Sequence, residues 1–280
     1  MDLVDYFVEE MSNRGVLLEK VSNLQIIGEL NTDINRLIAN LDLKKPDFAI
    51  LWDKDVTLGR HLEKMGLRVF NSSRGIELCD NKGYTFEVLS EKGINIPRTI
   101  IAPLIYPRVK INDFQLYENI AIELGYPLVI KECYGSFGAQ VYLIENFEQM
   151  KEKVISLGSI PYVFQEFIST SHGRDVRINV VGDLVVGSMY RESDGDFRAN
   201  ISAGGKGKSY IANQREEEIA IKAVKELGLD YAGVDILFGK GDQPVVCEVN
   251  SNPHFKSTLE YTGVDVGKAI VEYILKEVYL

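Results

Sequence analysis

Cysteine is scarce in this sequence, with three among 280 residues. Cys79, Cys133 and Cys247 are scattered, odd in number and without CxxC spacing. This pattern argues against a disulfide framework and suits reduced thiols. We therefore expect all three cysteines to be buried side chains without a chemical role.

Histidine is equally scarce. His61, His172 and His254 show neither metal-ligand spacing nor an obvious Ser or Cys partner, so zinc chemistry and triad hydrolysis are poorly supported. We expect His61 to lie on a helix surface. His254 directly follows a strand end and is expected to touch a substrate.

Positive charge and long apolar runs are also lacking. Lys and Arg number 31 against 41 Asp and Glu, a net charge of −10, so the overall field repels a polyanion and we expect no nucleic-acid partner. No apolar run approaches about 18 residues, and the N-terminal MDLVDYFVEEM is acidic, unlike a signal peptide. We expect a cytoplasmic protein without a membrane segment. Whether it forms a homo-oligomer is left open.

Hydrophobic residues make up 45% of the chain, enough to fill compact cores. A helical pattern over 2–13 precedes apolar strands within 46–53 and 67–70, which flank a helix near 56–65. This alternation with short connections predicts a parallel α/β unit.

Two further α/β units follow. The third unit opens with DVRINVVGDLVVGSMYRE, 175–192, whose central Gly-Asp between two β-branched runs predicts a hairpin. A polar loop is expected over 193–210. The other predicted elements are helices at 115–125, 146–157, 215–227 and 265–278 and strands at 127–132, 141–144, 162–168, 231–238 and 244–250.

Acidic residues lie inside two of these strands. YAGVDILF and VVCEVN are joined by GKGDQP, and a hairpin centred on Gly241–Asp242 places Asp235 opposite Glu248, with Asn250 on the same face. Facing like charges are destabilising unless neutralised, and Mg²⁺ takes ligands of these types. Alternatively, the carboxylates are solvated or pair with basic side chains. In the metal hypothesis, Asp235→Ala and Glu248→Ala both leave the fold intact and remove Mg²⁺-dependent turnover.

A glycine-rich turn, KECYGSFGAQ at 131–140, follows another strand. Its backbone N–H groups could surround phosphate oxygens while Lys131 neutralises their charge, although such turns also occur without a ligand. It is not a Walker loop. The nearest imitation, SAGGKGKS at 202–209, lacks the first glycine and is expected to be a mobile loop over the substrate or a linker.

Basic side chains recur in this acidic chain. Guanidiniums that converge with carboxylates suit a triphosphate with a metal ion, because Arg binds phosphate bidentately. Each one is equally compatible with a surface ion pair, and only their joint order argues for a site. These side chains are Lys82, Lys131, Arg174, Arg177, Arg191 and Arg198.

The order of the motifs resembles the ATP-grasp superfamily, and within it the RimK-type α-L-glutamate ligases. The resemblance implies an α/β chain, α+β in its catalytic part, with an ATP-grasp fold. It implies an N-terminal parallel α/β pre-ATP-grasp domain over 1–80, a small lid domain over 81–165 and a C-terminal domain with the metal site over 166–280. The matching stretches are NKGYTFEVLSEKGINIPRT (81–99), PLVIKECYGSFGAQVYLI (127–144), FQEFI (164–168), GRDVRINVVGDLVVGSMYR (173–191), GDFRANISAGG (195–205), AGVDILF (232–238) and CEVNSNP (247–253).

The resemblance also assigns roles to single positions. The implied ATP-binding residues are Lys82, Lys131, Gly135, Ser136, Gln165, Glu166, Phe167, Ile168 and Asp175, with the lysines on phosphates, 165–168 on adenine and Asp175 on ribose. The implied metal ligands are Asp235, Glu248 and Asn250. The residues implied around the terminal phosphate and the acyl intermediate are Arg191, Arg198 and Asn200. The implied substrate contacts are Ser251, Asn252 and His254.

The implied function is ATP-dependent carboxylate–amine ligation through an acyl phosphate. Glutamate is favoured as the added amino acid, and the acceptor is a carboxylate on a small molecule, a peptide or a protein tail. The implied cofactors are ATP and Mg²⁺, with Mn²⁺ as a substitute. Because water would hydrolyse the acyl phosphate, the small domain and loop 193–210 are expected to close as lids.

Two alternative functions remain open, and the sequence differs from the family pattern at two places. The chain could be a ligase of the lysine-biosynthesis or D-alanine type, or a non-catalytic ATP-binding module, which the intact metal ligands argue against. Relatives begin with a strand, whereas this chain opens on helix 2–13, so the completeness of the N-terminal domain is left open. His254 stands where glutamate ligases often have Gly, so the acceptor and the amino acid are left open too.

Overall fold

The computed structural model describes residues 2–31, 35–39, 46–136, 138–201 and 204–279. The helices are α1 Leu3–Ser12, α2 Val56–Lys64, α3 Ser73–Asp80, α4 Lys82–Glu91, α5 Gln115–Leu124, α6 Phe147–Leu157, α7 Gln214–Glu226, α8 Lys256–Thr262 and α9 Val266–Tyr279. The strands are β1 Ile26–Leu30, β2 Asn35–Ala39, β3 Phe48–Ile50, β4 Arg68–Phe70, β5 Thr99–Ile101, β6 Leu128–Glu132, β7 Val141–Ile144, β8 Tyr162–Glu166, β9 Arg174–Val181, β10 Leu184–Glu192, β11 Lys206–Ser209, β12 Tyr231–Phe238 and β13 Pro244–Asn250.

A small parallel sheet lies in the N-terminal part. β3 and β4 pair in parallel, with Phe48 opposite Arg68, and α2 connects them. The helix begins where the Asp55 carboxylate accepts a hydrogen bond of 2.9 Å from the Leu58 N–H, a typical N-cap. The predicted parallel pair around a helix is confirmed.

The antiparallel hairpin β1–β2 was not predicted, and it corrects the placement of His61. His61 is 5% exposed, and its Nε2 lies 2.9 Å from the Arg36 carbonyl oxygen. A side chain on Gly28 of β1 would strike the His61 ring. The expectation of a surface histidine is wrong, because the hairpin covers this part of α2.

A four-stranded antiparallel sheet follows, in the order β5-β8-β6-β7. The apolar cluster of this unit joins helix residues such as Tyr117 and Met150 to strand residues such as Ile130 and Phe164. The predicted helices and strands of the second unit are confirmed. The edge strand β5 was not predicted.

A five-stranded antiparallel sheet forms the C-terminal part, in the order β11-β10-β9-β12-β13. The β9–β10 hairpin turns at Gly182, whose φ of 58° favours glycine, so the predicted Gly-Asp turn is confirmed. Asp235 pairs with Glu248 across β12 and β13, as the sequence predicted. The capping box of Asn213 and Glu216 begins α7, which packs on one face of the sheet.

The first and last helices pack together. Phe7 and Met11 of α1 share an apolar cluster with Ile270 of α9. The Tyr6 hydroxyl adds a hydrogen bond of 2.7 Å to the Asp265 carboxylate. Across the described ranges, no helix combines the length and apolar character that crossing a membrane requires.

Candidate active site

A cleft of about 870 Å³, its open mouth included, lies between the two larger sheets. It brings together most residues that the sequence assigned to a site. Those in its lining are Lys82, Lys131, Gly135, Ser136, Gln165, Glu166, Phe167, Ile168, Asp175, Arg198, Asn200, Asp235 and Glu248. Those outside the lining are Arg191, Asn250, Ser251, Asn252 and His254.

The end of β8 forms one wall of the cleft. The Phe167 ring packs edge-on against Phe197, with ring centroids 6.2 Å apart. The Gln165 side chain is buried and donates a hydrogen bond of 2.8 Å to the Thr99 hydroxyl, which ties it to β5. A wall of apolar side chains and main-chain polar groups suits a flat heterocycle.

Two buried lysines line another part of the cleft. Lys82 and Lys131 are 8% and 7% exposed. The Lys82 ammonium donates to the Gly135 carbonyl at 3.2 Å and lies 3.7 Å from a Glu248 carboxylate oxygen. The Lys131 ammonium lies 3.3 Å from the Cys247 sulfur. Because ammonium groups are costly to bury without counter-charges, this region favours an anionic ligand.

The cysteines divide into two kinds. Cys79 and Cys133 are buried, as expected, whereas Cys247 is half-buried and lines the cleft beside Lys131. The expectation of a buried residue is therefore wrong for Cys247. Burial raises its pKa despite the nearby Lys131 charge, which favours the neutral thiol.

The glycine-rich turn and the segment after β10 meet at the mouth of the cleft. Gly135 and Gly138 have φ values of 150° and 72°, which side chains rarely adopt. Arg198 donates to the Gly138 carbonyl and forms a 2.7 Å contact with the Asp196 carboxylate. The Asn200 amide oxygen lies 3.1 Å from where a methyl group on Gly138 would be. The two predicted lid segments are thus in contact.

Part of both segments lies outside the described residues, namely residue 137 of the turn and residues 202–203 of SAGGKGKS. The rest of that stretch was expected to be a loop or linker. Residues 206–209 instead form β11, with Lys206 opposite Glu192 of β10. The expectation is wrong for these four residues, because they extend the sheet.

Four charged side chains form a ladder on the cleft side of the five-stranded sheet: Asp175, Arg191 and Asp235 are buried, and Arg177 is half-buried. Arg191 donates to both oxygens of Asp175 at 2.7 Å and lies 3.0 Å from an Asp235 oxygen. Arg177 donates to both Asp235 oxygens, at 2.8 Å for Nη2 to Oδ2. The side chain of Asp235 is 4% exposed, and both of its oxygens are engaged by guanidiniums.

The two carboxyls of this ladder have opposite pKa shifts. Burial raises the pKa of Asp175, and Arg191 offsets this only in part. Burial would also raise the pKa of Asp235, but the charges of Arg177 and Arg191 outweigh it and hold the pKa below its usual value. Asp235 is therefore the more firmly ionised carboxylate of the two.

The oxygen donors at β12 and β13 fit a hard divalent cation. Asp235 and Glu248 lie side by side. The Asn250 amide nitrogen donates a hydrogen bond to the Gly233 carbonyl at 3.4 Å, which leaves the amide oxygen available as a metal ligand. Among the described residues, no group of three or more His, Cys, Asp or Glu side chains is placed to hold a metal. A cation here would need oxygens from Asn250 or the substrate as well, as Mg²⁺ often does.

The loop after β13 is fixed by the N-terminal part of the chain. Asn71 is fully buried, and its amide nitrogen donates to the Ser251 carbonyl at 2.7 Å. The Asn252 amide nitrogen donates to the Trp52 carbonyl at 2.8 Å. Burial, and then the charges of Arg177 and Lys256, lower the pKa of His254, which favours the neutral imidazole. The predicted substrate residues thus lie on a loop with a defined backbone.

Sequence reasoning missed two contributors to this region. Asn71 and Trp52 were assigned no role, and no local pattern marks them, since their partners are more than a hundred residues away. Arg177 was named as one cation among several, in phase with Asp175 along the strand, but its pairing with Asp235 was not predicted. Its spacing of two from Asp175 on β9 was the signal that places both side chains on one face.

Comparisons with known proteins point to one family. The family model for the RimK-like ATP-grasp domain matches residues 79–274. Human N-acetylaspartylglutamate synthase A is 31% identical over 274 residues, which are 95% of this chain and 68% of that protein. β-Citrylglutamate synthase B of Danio rerio is 35% identical over 225 residues, 80% of this chain and 54% of that protein.

A solved structure shows the same fold. The ATP-grasp ligase PsnB, complexed with a phosphomimetic variant of its minimal precursor, Mg and ADP, has a TM-score of 0.72 and 18% identity, and the match covers 98% of this chain and 94% of that chain. At this identity the likeness concerns the fold alone. It identifies the mixed α/β architecture with that of ATP-grasp ligases.

Proposed function

The chain belongs to the RimK-like ATP-grasp family of carboxylate–amine ligases, and we propose that it joins the amino group of glutamate to a small carboxylic acid. The glutamate assignment is supported by the names of the two relatives, both of which are synthases of glutamate conjugates. The chain spans 68% and 54% of their lengths, so their substrates are proposals for this protein.

The reaction has two balanced steps. A carboxylate oxygen of the acid attacks the γ-phosphorus of ATP, and the bond to the β,γ-bridging oxygen breaks to give an acyl phosphate and ADP. The glutamate nitrogen then attacks the acyl carbon, phosphate leaves with the electron pair of its C–O bond, and the amine loses a proton. Positioning and charge neutralisation account for most of the rate in such transfers.

One observation carries the proposal. The Lys82 ammonium lies between the Gly135 carbonyl of the glycine-rich turn and the Glu248 carboxylate of β13, at 3.2 and 3.7 Å. A single buried cation thus joins the turn suited to phosphates with the carboxylate suited to a divalent ion. A nucleoside triphosphate bound there would be held by Lys131 at its phosphates and by the end of β8 at its base, since both line the same cleft.

Asp235, Glu248 and Asn250 would hold the magnesium ion. When bound, the ion would neutralise the charge that develops on the transferred phosphoryl group. Arg198 reaches the same part of the cleft from the segment after β10, where it donates to the Gly138 carbonyl. Exclusion of water by this contact would protect the acyl phosphate from hydrolysis.

The acceptor is proposed to be a small acid with more than one carboxylate. The names of the relatives contain N-acetylaspartyl and citryl groups. The loop of Ser251–His254 lies beside Arg177, outside the cleft lining, and would offer amide and imidazole groups to such an acid. A ligase of the lysine-biosynthesis or D-alanine type would share the first step and differ in this loop.

The experiment is ADP release with Mg²⁺ and ATP over a matrix of acids and amines. The acids are N-acetylaspartate and citrate; the amines are glutamate, aspartate, lysine and D-alanine. We expect ADP release that requires glutamate and an acid, and a product whose mass equals the two substrates less one water. Glu248→Ala is the matched inactive control.

Two results would contradict the proposal. Product formation with D-alanine or lysine in place of glutamate would assign the chain to another ligase type. Tight ATP binding without ADP release on any pair would favour a non-catalytic ATP-binding module.

A further inference from the structure

Arg177 is a half-buried residue that lies next to the cleft residues Asp175 and Asp235 but outside the cleft lining, and nucleotide binding does not explain it. Its guanidinium engages both oxygens of Asp235, the carboxylate that the proposed function gives to the metal ion. The side chain is 11% exposed, and it lies on β9 directly opposite Asp235 in the sheet register. A cation that used the same oxygens would compete with this guanidinium.

The two arginines on Asp235 differ in their other partners. Arg191 also donates to Asp175 through two contacts of 2.7 Å. Within the described part of the chain, the ion pair of Arg177 is with Asp235 alone. If Asp235 turned to a cation, Arg191 would keep a carboxylate partner and Arg177 would lose its own.

The position of Arg177 indicates where it would find another partner. Its side chain crosses the sheet over Gly233, where a methyl group would lie 3.0 Å from both its Cδ and its Nη1. The same methyl position is 3.2 Å from Cβ of Pro253, inside the loop that follows β13. The guanidinium therefore lies between Asp235 and the loop assigned to the organic acid.

We propose that Arg177 is the carboxylate anchor, the residue that binds a carboxylate of the acid substrate, and that it pairs with Asp235 until the divalent cation binds. When Asp235 exchanges Arg177 for the divalent cation, Arg177 takes up a carboxylate of the acid substrate beside the Ser251–His254 loop. One carboxylate replaces another in the same bidentate geometry, for which the planar guanidinium is suited. The acid therefore binds more tightly after metal and nucleotide, and the coupling is reciprocal. This inference rests on the proposed function.

The first test measures metal affinity, which does not require turnover. Mn²⁺ binding in the presence of ADP is followed by electron paramagnetic resonance in the wild type, Arg177→Gln and Arg60→Gln. Arg60 is the matched control, since it forms an exposed ion pair with Glu77 outside the cleft. Competition predicts that Arg177→Gln binds Mn²⁺ at least about fivefold more tightly, whereas the control does not change.

The direction of the change in Mn²⁺ affinity distinguishes two roles of Arg177. If Arg177 merely held Asp235 in place, its removal would weaken Mn²⁺ binding, and that result would overturn the proposal. A thermal melt of each variant checks the fold, and Arg177→Lys, which keeps the charge, should bind Mn²⁺ like the wild type. Failure of the wild type to bind Mn²⁺ and ADP at all would overturn the proposed function instead.

The second test measures the anchor itself. N-acetylaspartate and citrate are titrated calorimetrically into wild type and Arg177→Gln, with and without saturating Mg²⁺ and ADP. We expect Mg²⁺ and ADP to raise the affinity of the wild type for one acid at least about fivefold, and to leave that of Arg177→Gln unchanged. Equal affinity of the wild type in both conditions, or no binding of either acid in the presence of Mg²⁺ and ADP, would overturn the anchor.

Discussion

The two faces of the five-stranded sheet are made from the same strands and have opposite characters. On one face, Val176, Ile178 and Ile236 are fully buried in an apolar cluster that includes Val224 of α7. On the other, alternate residues of the same strands are charged and form the ladder of Asp175, Arg177, Arg191 and Asp235 beside the cleft. Both faces are buried, so burial alone does not distinguish core from site.

The difference lies in what each face contributes to stability. The apolar face gains free energy in proportion to the area it removes from water. A buried ion-pair network gains little over apolar side chains of the same volume, because desolvation of the charges opposes their attraction. The cleft face is therefore better explained by ligand chemistry than by folding. Substitutions on the two faces should differ in how much they change the unfolding free energy and the activity.

The largest effect is expected from a charge on the apolar face. Ile178→Asp places a carboxylate where the wild-type side chain is fully buried without a basic partner in its cluster, and should cost more than about 4 kcal/mol of unfolding free energy. Soluble yield and urea denaturation measure this. Leu184→Asp is the control, since that residue of β10 is 69% exposed. Equal stability of the two variants would mean that the apolar face is not a core.

The sequence predicted four of the five strands of this sheet (β9, β10, β12 and β13), the β9–β10 turn and the Asp235–Glu248 pairing, because these depend on local alternation and on residues counted from a turn. It left open whether Asp235 meets a cation or basic side chains. That choice depends on β9 lying next to β12, so that Arg177 faces Asp235 from 58 residues away. The role of Asn71 and the burial of His61 beneath β1–β2 depend on equally distant contacts.

An intermediate effect is expected from removing one member of the ladder. Asp235→Ala leaves two buried guanidiniums with only Asp175 between them, which should cost about 3–5 kcal/mol of unfolding free energy. This differs from the sequence-based expectation that the substitution leaves the fold intact. Urea denaturation at neutral pH measures the loss. A cost below about 1 kcal/mol would show that water replaces the missing carboxylate and that the ladder is not dehydrated.

The smallest effect on stability is expected for Glu248→Ala. The Glu248 side chain is 29% exposed, and its ion pair with Lys82 is long, at 3.7 Å, so the change should alter the unfolding free energy by less than about 1 kcal/mol. ADP release should nevertheless fall by about 100-fold or more, since a carboxylate beside the phosphates is lost. Denaturation and ADP release on the same preparation test this. If Asp235→Ala and Glu248→Ala lost the same unfolding free energy, metal binding and folding could not be separated at these strands. A larger loss in Asp235→Ala would show that Asp235 stabilises the fold, whereas Glu248 acts mainly in the reaction.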